Sequence, residues 1–156
     1  MKHKNTIRLL LLFVVSLAFN SCSRSIYPSA EVNYLSGNEG TVSVRATGIG
    51  TNRENAILNG EQKVFDVLFF RGLPESVQKL PLIGSNEAEE KARHKKYFDD
   101  FYSGQRHRSF IMSSIPISDL AKYKNGQKMI SVDIKVNLNA LRRDLETFGI
   151  IRKFGY

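Results

Sequence analysis

Residues 128–138 alternate between polar and apolar side chains, and this pattern constrains the fold more than any other stretch of the chain. The apolar positions are Ile130, Val132, Ile134, Val136 and Leu138. Successive side chains of a β-strand point to opposite faces, so the pattern predicts a strand with one buried face and one face in water. Strands of this kind are typical of an antiparallel sheet that is covered on one side only.

The other apolar patterns predict two further strands and three helices around this strand. Strands are predicted at residues 41–47 and 109–117, and helices at residues 51–71, 86–104 and 139–149. In the second of these strands, Ile111 and Ile115 are expected to face inward. The order is strand, helix, helix, strand, strand, helix. We therefore predict a single α+β domain over residues 41–156, a two-layer sandwich in which helices cover one face of a small, mostly antiparallel sheet.

The N-terminus is typical of an export signal. Three basic residues, Lys2, Lys4 and Arg8, precede an uninterrupted apolar run at residues 9–19. About 20 apolar residues are needed to cross a bilayer, so this shorter run predicts a signal peptide at residues 1–21 that is removed. The residues that follow, 22–40, are predicted to form a tether. Because 20 basic and 15 acidic residues remain after removal of the signal, the net charge falls from +8 to +5. Export from the cell also argues against nucleic acid as a partner.

Cys22 is the one cysteine of the chain, and it directly follows the small residue Ser21 at the end of the predicted signal. A single cysteine excludes an intramolecular disulfide and zinc sites of the four-cysteine or two-cysteine, two-histidine kind. The arrangement resembles the lipobox of bacterial lipoproteins, although Phe19 and Asn20 replace the leucine and the small residue of a strict lipobox. The resemblance implies that Cys22 carries acyl chains that hold the protein in a membrane. The alternative is an ordinary secretory signal followed by an unrelated cysteine.

The location expected from this resemblance is the bacterial cell envelope. Some lipoproteins carry an acidic run directly after the cysteine that directs them to the cell surface, and residues 23–27 contain no such run. We therefore expect the outer membrane, with the periplasmic face favoured over the surface.

No motif predicts catalysis, a metal site or a cofactor. Gly48-Ile-Gly50 lies between a predicted strand and a predicted helix, but Arg53 replaces the third glycine of a dinucleotide-binding fingerprint. We interpret these two glycines as a tight turn. His94 and His107 have no partner at metal-binding spacing, and both are expected on the solvated surface. The expectation is a protein that is not an enzyme and that binds no cofactor or metal.

Three stretches of the chain carry a second resemblance. They are the strand end Ala46-Thr-Gly-Ile-Gly50, the helix residues Ala56-Ile57 and Lys63-Val-Phe-Asp-Val-Leu-Phe-Phe70, and the 128–138 strand followed by Leu141-Arg-Arg-Asp-Leu145. Together they resemble a family of small bacterial surface lipoproteins that shares a domain with the N-terminus of the flagellar accessory protein FlgT. This chain departs from the family pattern at Gly60, where an alanine is usual, and in the long proline-containing loop after the helix. The resemblance implies a non-enzymatic α+β domain that docks onto other envelope machinery.

The C-terminal region combines basic and apolar side chains, and it is the predicted surface for partner contact. The candidate contact residues are Arg142, Arg143, Arg152, Lys153, Phe154 and Tyr156. They favour a docking or assembly module with an envelope protein as its partner, anchored to the membrane through Cys22. The alternative is a lipoprotein that binds a ligand or a glycan between the loop at residues 73–85 and the sheet, in an aromatic-lined pocket of roughly several hundred cubic ångströms.

Overall fold

The computed structural model describes residues 31–38 and 40–153, which form a five-stranded sheet and four α-helices. The strands are β1 (Val32–Asn38), β2 (Thr41–Gly50), β3 (Ile111–Pro116), β4 (Ala121–Lys122) and β5 (Lys128–Asn137). The helices are α1 (Arg53–Phe70), α2 (Glu87–Arg93), α3 (Lys95–Tyr102) and α4 (Leu138–Thr147), with short 3-10 helices at Arg106–Phe110 and Lys124–Gly126. The predicted α+β class is confirmed.

The sheet has the spatial order β1-β2-β5-β3, and the short β4 pairs with the beginning of β5. All neighbouring strands are antiparallel. The central pair, β2 and β5, runs in unbroken register from Thr41 opposite Asn137 to Gly50 opposite Lys128. The alternating stretch that predicted a half-buried strand therefore forms the middle of the sheet.

The helices cover one face of this sheet. Helix α1 packs across β2 and β5, whose inward side chains are almost fully buried: Val42, Val44, Ala46, Ile130, Val132, Ile134 and Val136. Aromatic rings from α1 and α3 extend this core, with the Phe65 and Phe101 ring centroids 5.2 Å apart. On the opposite face, Arg45 donates two hydrogen bonds to the carboxylate of Asp133, at 2.8 and 3.0 Å. The sheet is therefore covered on one side, as an antiparallel sheet of alternating strands requires.

The domain begins earlier than residue 41, because part of the predicted tether is an edge strand. Residues 32–38 form β1, which pairs antiparallel with β2 from Val32 opposite Ala46 to Asn38 opposite Thr41. The Asn38 side chain accepts hydrogen bonds from the backbone N–H groups of Gly40 and Thr41, so the turn between the two strands is held locally. The Ser, Gly and Asn residues that indicated a tether here belong to a hairpin.

Gly48 and Gly50 do not form the expected tight turn, because both lie inside β2. A Cβ atom on Gly48 would lie 1.8 Å from the carbonyl oxygen of Ala56 in α1, and one on Gly50 would lie 2.5 Å from the backbone nitrogen of Ala56. The glycines are needed because the helix backbone crosses directly over the strand backbone.

The predicted helix at residues 86–104 is divided in two at His94, whose backbone dihedrals (φ −114°, ψ 38°) lie outside the helical region. Helix α2 has no buried residue, whereas α3 buries Tyr97, Phe98 and Phe101. The break allows the charged first half to remain in solvent while the aromatic second half joins the core.

Strand β3 departs from the expected alternation. Its register shifts between Ile111 and Ser113, which places Ser114 opposite the buried Ile134. Ile115, expected to face inward, is 58% exposed as a result. Ile111 keeps its expected packing against the core.

The signal at residues 1–21, Cys22, Phe154 and Tyr156 lie outside the described residues. Within the part that is described, no helix has the length and apolar character needed to cross a membrane.

Candidate functional site

A groove of about 790 Å³ lies where the loop after α1 meets α2, α4 and the segment that follows α4. Its aliphatic wall is formed by Leu80, Pro81, Leu82, Ile83, Ile150 and Ile151. Its polar lining is formed by Gln78, Glu90, Arg93, Arg142, Glu146 and Arg152. The groove therefore combines an apolar wall with charged groups, as binding sites in proteins commonly do.

The loop that forms the aliphatic wall is fixed by backbone hydrogen bonds. Gly72 ends α1 with φ +75°, a left-handed conformation that favours glycine, and a Cβ there would lie 2.3 Å from the carbonyl oxygen of Lys79. The chain then folds back along α1. The N–H groups of Leu82 and Ile83 donate to the Leu68 and Phe69 carbonyls at 2.9 and 3.0 Å, satisfying the C-terminal end of the helix. These hydrogen bonds hold the wall against the end of α1, and its side chains line the groove.

Two buried polar side chains hold the first half of the same loop. Ser76 Oγ donates to the Leu73 carbonyl at 2.9 Å and accepts from the Gln78 N–H at 2.9 Å. The Gln78 amide donates to the Leu80 carbonyl, and its Oε1 accepts a hydrogen bond from Arg142 at 2.5 Å. The loop thereby positions the Arg142 guanidinium in the groove.

The charges in the groove are compensated unequally. Arg93 bonds to Glu89 at 2.5 Å and to Glu90 at 3.1 Å, so its charge is neutralised within α2. Arg142 bonds to a neutral amide, and among residues 31–38 and 40–153 no carboxylate lies within 4.0 Å of it. Its remaining N–H donors are therefore available to an anionic group.

The structure divides the predicted contact residues into two groups. Arg142 and Arg152 line the groove. Arg143 and Lys153, the sequence neighbours of these two residues, are exposed and do not line it. The pocket considered beside the 73–85 loop exists, but its other walls are helices α2 and α4 and residues 150–152 instead of the sheet. Its described lining contains no aromatic side chain.

A second polar cluster is buried between α1, the first 3-10 helix and β3. Glu61 accepts hydrogen bonds from Arg108 Nε at 3.0 Å and from Ser114 Oγ at 2.8 Å. Burial raises the pKa of the Glu61 carboxyl, but interactions with His107, Ser114 and Arg108 lower it by more, so this pKa lies below its ordinary value. The cluster acts as a charged link between three elements.

His107 belongs to this cluster and is completely buried, so its expected position on the solvated surface is wrong. Its Nδ1 donates to the Phe101 carbonyl at 2.9 Å, since a carbonyl oxygen can only accept. Its Nε2 faces Glu61 Oε2 at 3.8 Å. The flanking Arg106 and Arg108 made the segment look solvated, but the imidazole packs edge-on against Phe65.

Arg106 forms a third linked group, between α3 and α4. The guanidinium lies between the rings of Tyr97 and Phe148, 4.8 and 4.9 Å from their centroids, and bonds to Asp144 at 2.8 Å. Tyr97 donates its hydroxyl to the same carboxylate at 2.8 Å. Burial and the nearby Asp144 raise the pKa of the Tyr97 phenol. This cation is held inside the fold and is not available to a partner.

Within the described residues, no group of three His, Cys, Asp or Glu side chains has the geometry to hold a metal ion. Comparison with known proteins adds no relative, since no protein-family model, no curated protein and no solved structure matches the chain.

Proposed function

We propose that this protein is a lipid-anchored lipoprotein of the bacterial envelope whose α+β domain docks onto an envelope partner through the groove beside α4. The observation that carries the docking role is the groove itself, in which an aliphatic wall adjoins the uncompensated guanidinium of Arg142. Helix association and peptide recognition commonly use grooves of this kind. The proposal assigns no catalytic residue and no cofactor.

The anchor and the location rest on the N-terminal sequence. An export signal followed directly by Cys22 resembles a lipoprotein signal, and acyl chains contribute about 0.8 kcal/mol of membrane affinity per buried methylene. Two or three such chains suffice for stable attachment. The proposed location is the periplasmic face of the outer membrane. The likeness to the FlgT-related lipoproteins supports the same docking role.

A small-molecule ligand is the second candidate for the groove. Its volume lies within the range of about 300–1,000 Å³ that is usual for ligand pockets. A glycan is disfavoured because sugar rings usually stack on aromatic side chains, and the described lining has none. Covalent capture in cells distinguishes a protein partner from a small ligand.

Site-specific photo-crosslinking in the native host tests the docking role. Leu80 lines the groove and is 75% exposed, so a photoreactive amino acid at this position is expected to give one discrete adduct of larger mass, with a partner identifiable by mass spectrometry. A small ligand would leave the apparent mass of the protein nearly unchanged.

Two further variants make this test specific. Ile115 is similarly exposed but lies on the uncovered face of the sheet, and a photoreactive residue there is expected to give no such adduct. The variant Cys22→Ser is expected to leave the membrane fraction and to lose the Leu80 adduct. Equal adducts from both positions would contradict the groove as the docking surface. A Cys22→Ser variant that remained in the membrane would contradict the anchor.

A further inference from the structure

The groove recognises a specific chemistry, and this inference rests on the proposed docking function. We propose that its occupant is a segment of a partner protein that carries aliphatic side chains next to a carboxylate, and that the carboxylate binds Arg142. Three observations on the described residues lead to this assignment.

The first observation is the wall of the groove. Leu80, Leu82 and Ile83 line it together with Ile150 and Ile151, and the backbone N–H groups of Leu82 and Ile83 already donate to α1. These N–H groups cannot pair with an added strand. Recognition along this wall therefore depends on apolar side chains brought by the occupant, because burial of aliphatic surface is its main source of affinity.

The second observation is the position of Arg142. Gln78, which is 7% exposed, orients the guanidinium through a hydrogen bond at 2.5 Å and contributes no negative charge. Arginine presents several N–H donors in a plane, which matches the two oxygens of a carboxylate. The Arg142 guanidinium is thus held in place without an ion-pair partner. This is expected of a side chain that binds an anionic group of a partner protein.

The third observation is the balance of the remaining charges. The Glu90 carboxylate already forms an ion pair with Arg93, at 3.1 Å. Glu146 lies one helical turn after Arg142 and, within residues 31–38 and 40–153, forms no ion pair with Arg142 or with Arg152, which is exposed and likewise has no carboxylate within 4.0 Å. Glu146 therefore opposes an acid placed near it, and the occupant's carboxylate gains most where it contacts the Arg142 guanidinium directly.

Selection from a displayed library of random peptides tests this assignment even while the partner is unidentified. The full-length protein, expressed with its signal and purified from membranes in a non-ionic detergent, is the bait. Peptides that combine Leu, Ile or Val with Asp or Glu are expected to be enriched. A labelled peptide of the enriched sequence then gives dissociation constants for the protein and its variants.

Matched substitutions at α4 give the decisive comparison. Arg142→Gln is expected to weaken binding about tenfold, which corresponds to about 1.4 kcal/mol. Arg143→Gln, which changes the adjacent exposed arginine, is expected to leave the affinity unchanged. Glu146→Gln is expected to strengthen binding a few-fold, because it removes a like charge. Arg142→Lys keeps the charge but not the planar donors, and its affinity is expected to fall between wild type and Arg142→Gln.

The peptide itself supplies the second half of a double-mutant cycle. Replacing its acidic residue by the corresponding amide should make wild type and Arg142→Gln bind equally well. Thermal unfolding of each variant separates a lost contact from a lost fold. Enrichment of neutral or basic peptides, no enrichment, or equal weakening by Arg142→Gln and Arg143→Gln would overturn the proposal. Binding of dodecanoate that depends on Arg142, without any enriched peptide, would overturn it in favour of a lipid.

Different results would contradict the docking function and the assignment of its occupant. A Leu80 adduct whose contacting segment lacks an acidic residue would leave the docking function standing and remove this assignment. Enriched acidic peptides without any adduct in cells would show that the groove has this specificity but would contradict its use as a docking surface in the envelope.

Discussion

Glu61 is a carboxylate in the part of α1 that faces the rest of the protein, between the buried residues Gly60 and Val64. Only 5% of its side chain is exposed. Its two oxygens receive hydrogen bonds from Arg108 and Ser114, so each partner lies on a different element and the carboxylate connects them. A buried charge is tolerated when its hydrogen bonds are made, and it becomes costly when a partner is removed.

Glu61→Gln is expected to lower the free energy of unfolding by about 2 kcal/mol at neutral pH, because the charge-assisted hydrogen bonds become neutral ones. The pKa of Glu61 is lowered in the folded protein. Its stabilising contribution is therefore fully present above the unfolded-state pKa of about 4.3, and it is lost as the pH falls through the folded-state pKa. Urea unfolding between neutral and acid pH should show the two proteins converging in acid.

Glu75→Gln is the control for this measurement, because Glu75 is exposed and has no ion pair among the described residues. Its unfolding free energy should follow that of wild type at every pH. A difference between wild type and Glu61→Gln that stays constant or grows on acidification would contradict the lowered pKa.

Single residues of this cluster could be predicted only in part. The helix carrying Glu61 was predicted, but a lone glutamate on a helix is usually solvated, and its partners come from residues about 50 positions later in the chain. The burial of His107 depends on the Phe65 and Phe101 rings that close around it. A local sequence pattern does not predict packing between residues that are far apart in the chain.

At the scale of elements, α1 crosses β2 at close backbone contact. Gly48 in the strand faces Ala56 and Gly60 in the helix, and a Cβ on Gly60 would lie 3.4 Å from the Cα of Gly48. Two small residues thus allow the backbones to touch. Because this contact aligns α1 with the sheet, it also positions the groove loop that follows the end of the helix.

Alanine substitutions at these two glycines should differ sharply. Gly48→Ala is expected to destabilise the protein by about 3 kcal/mol, since its Cβ would overlap the backbone carbonyl of Ala56 and the helix would have to move. Gly60→Ala is expected to stay within about 1 kcal/mol of wild type, because tight packing offsets a gain in helix propensity of about 1 kcal/mol. Denaturant unfolding measures both values. Equal effects of the two substitutions would contradict this account of the crossing.

Predictability from sequence varied among the elements for a physical reason. Strand β5 and helix α1 were predicted because their apolar periodicity is long and regular. The hairpin strand β1, the break at His94 and the shifted register of β3 were not, because each depends on a partner strand or on the core. The groove combines both cases. Arg142 and Arg152, two of the candidate contact residues, line it, whereas the walls supplied by α2 and the loop arise from tertiary packing.

At the scale of the whole molecule, β1 is the first described element and forms one edge of the sheet. A chain that starts at residue 31 is expected to unfold at the same temperature as one that starts at Cys22, since both retain β1. A chain that starts at residue 41 lacks β1 and exposes the edge of β2, so it should unfold at a lower temperature and self-associate. Thermal unfolding and size-exclusion chromatography test this boundary. Identical behaviour of all three chains would show that β1 contributes nothing to the domain.

If Cys22 carries the proposed anchor, the hairpin also limits how far the domain can move from the lipid. Nine residues separate Cys22 from the start of β1 at Val32. At about 3.3–3.6 Å per residue, a segment of this length spans at most roughly 30–35 Å. The domain would then be confined to a thin layer along the bilayer. This confinement raises its effective concentration towards partner proteins in the same layer. A partner that stays farther out would never meet the groove, however well its chemistry matched.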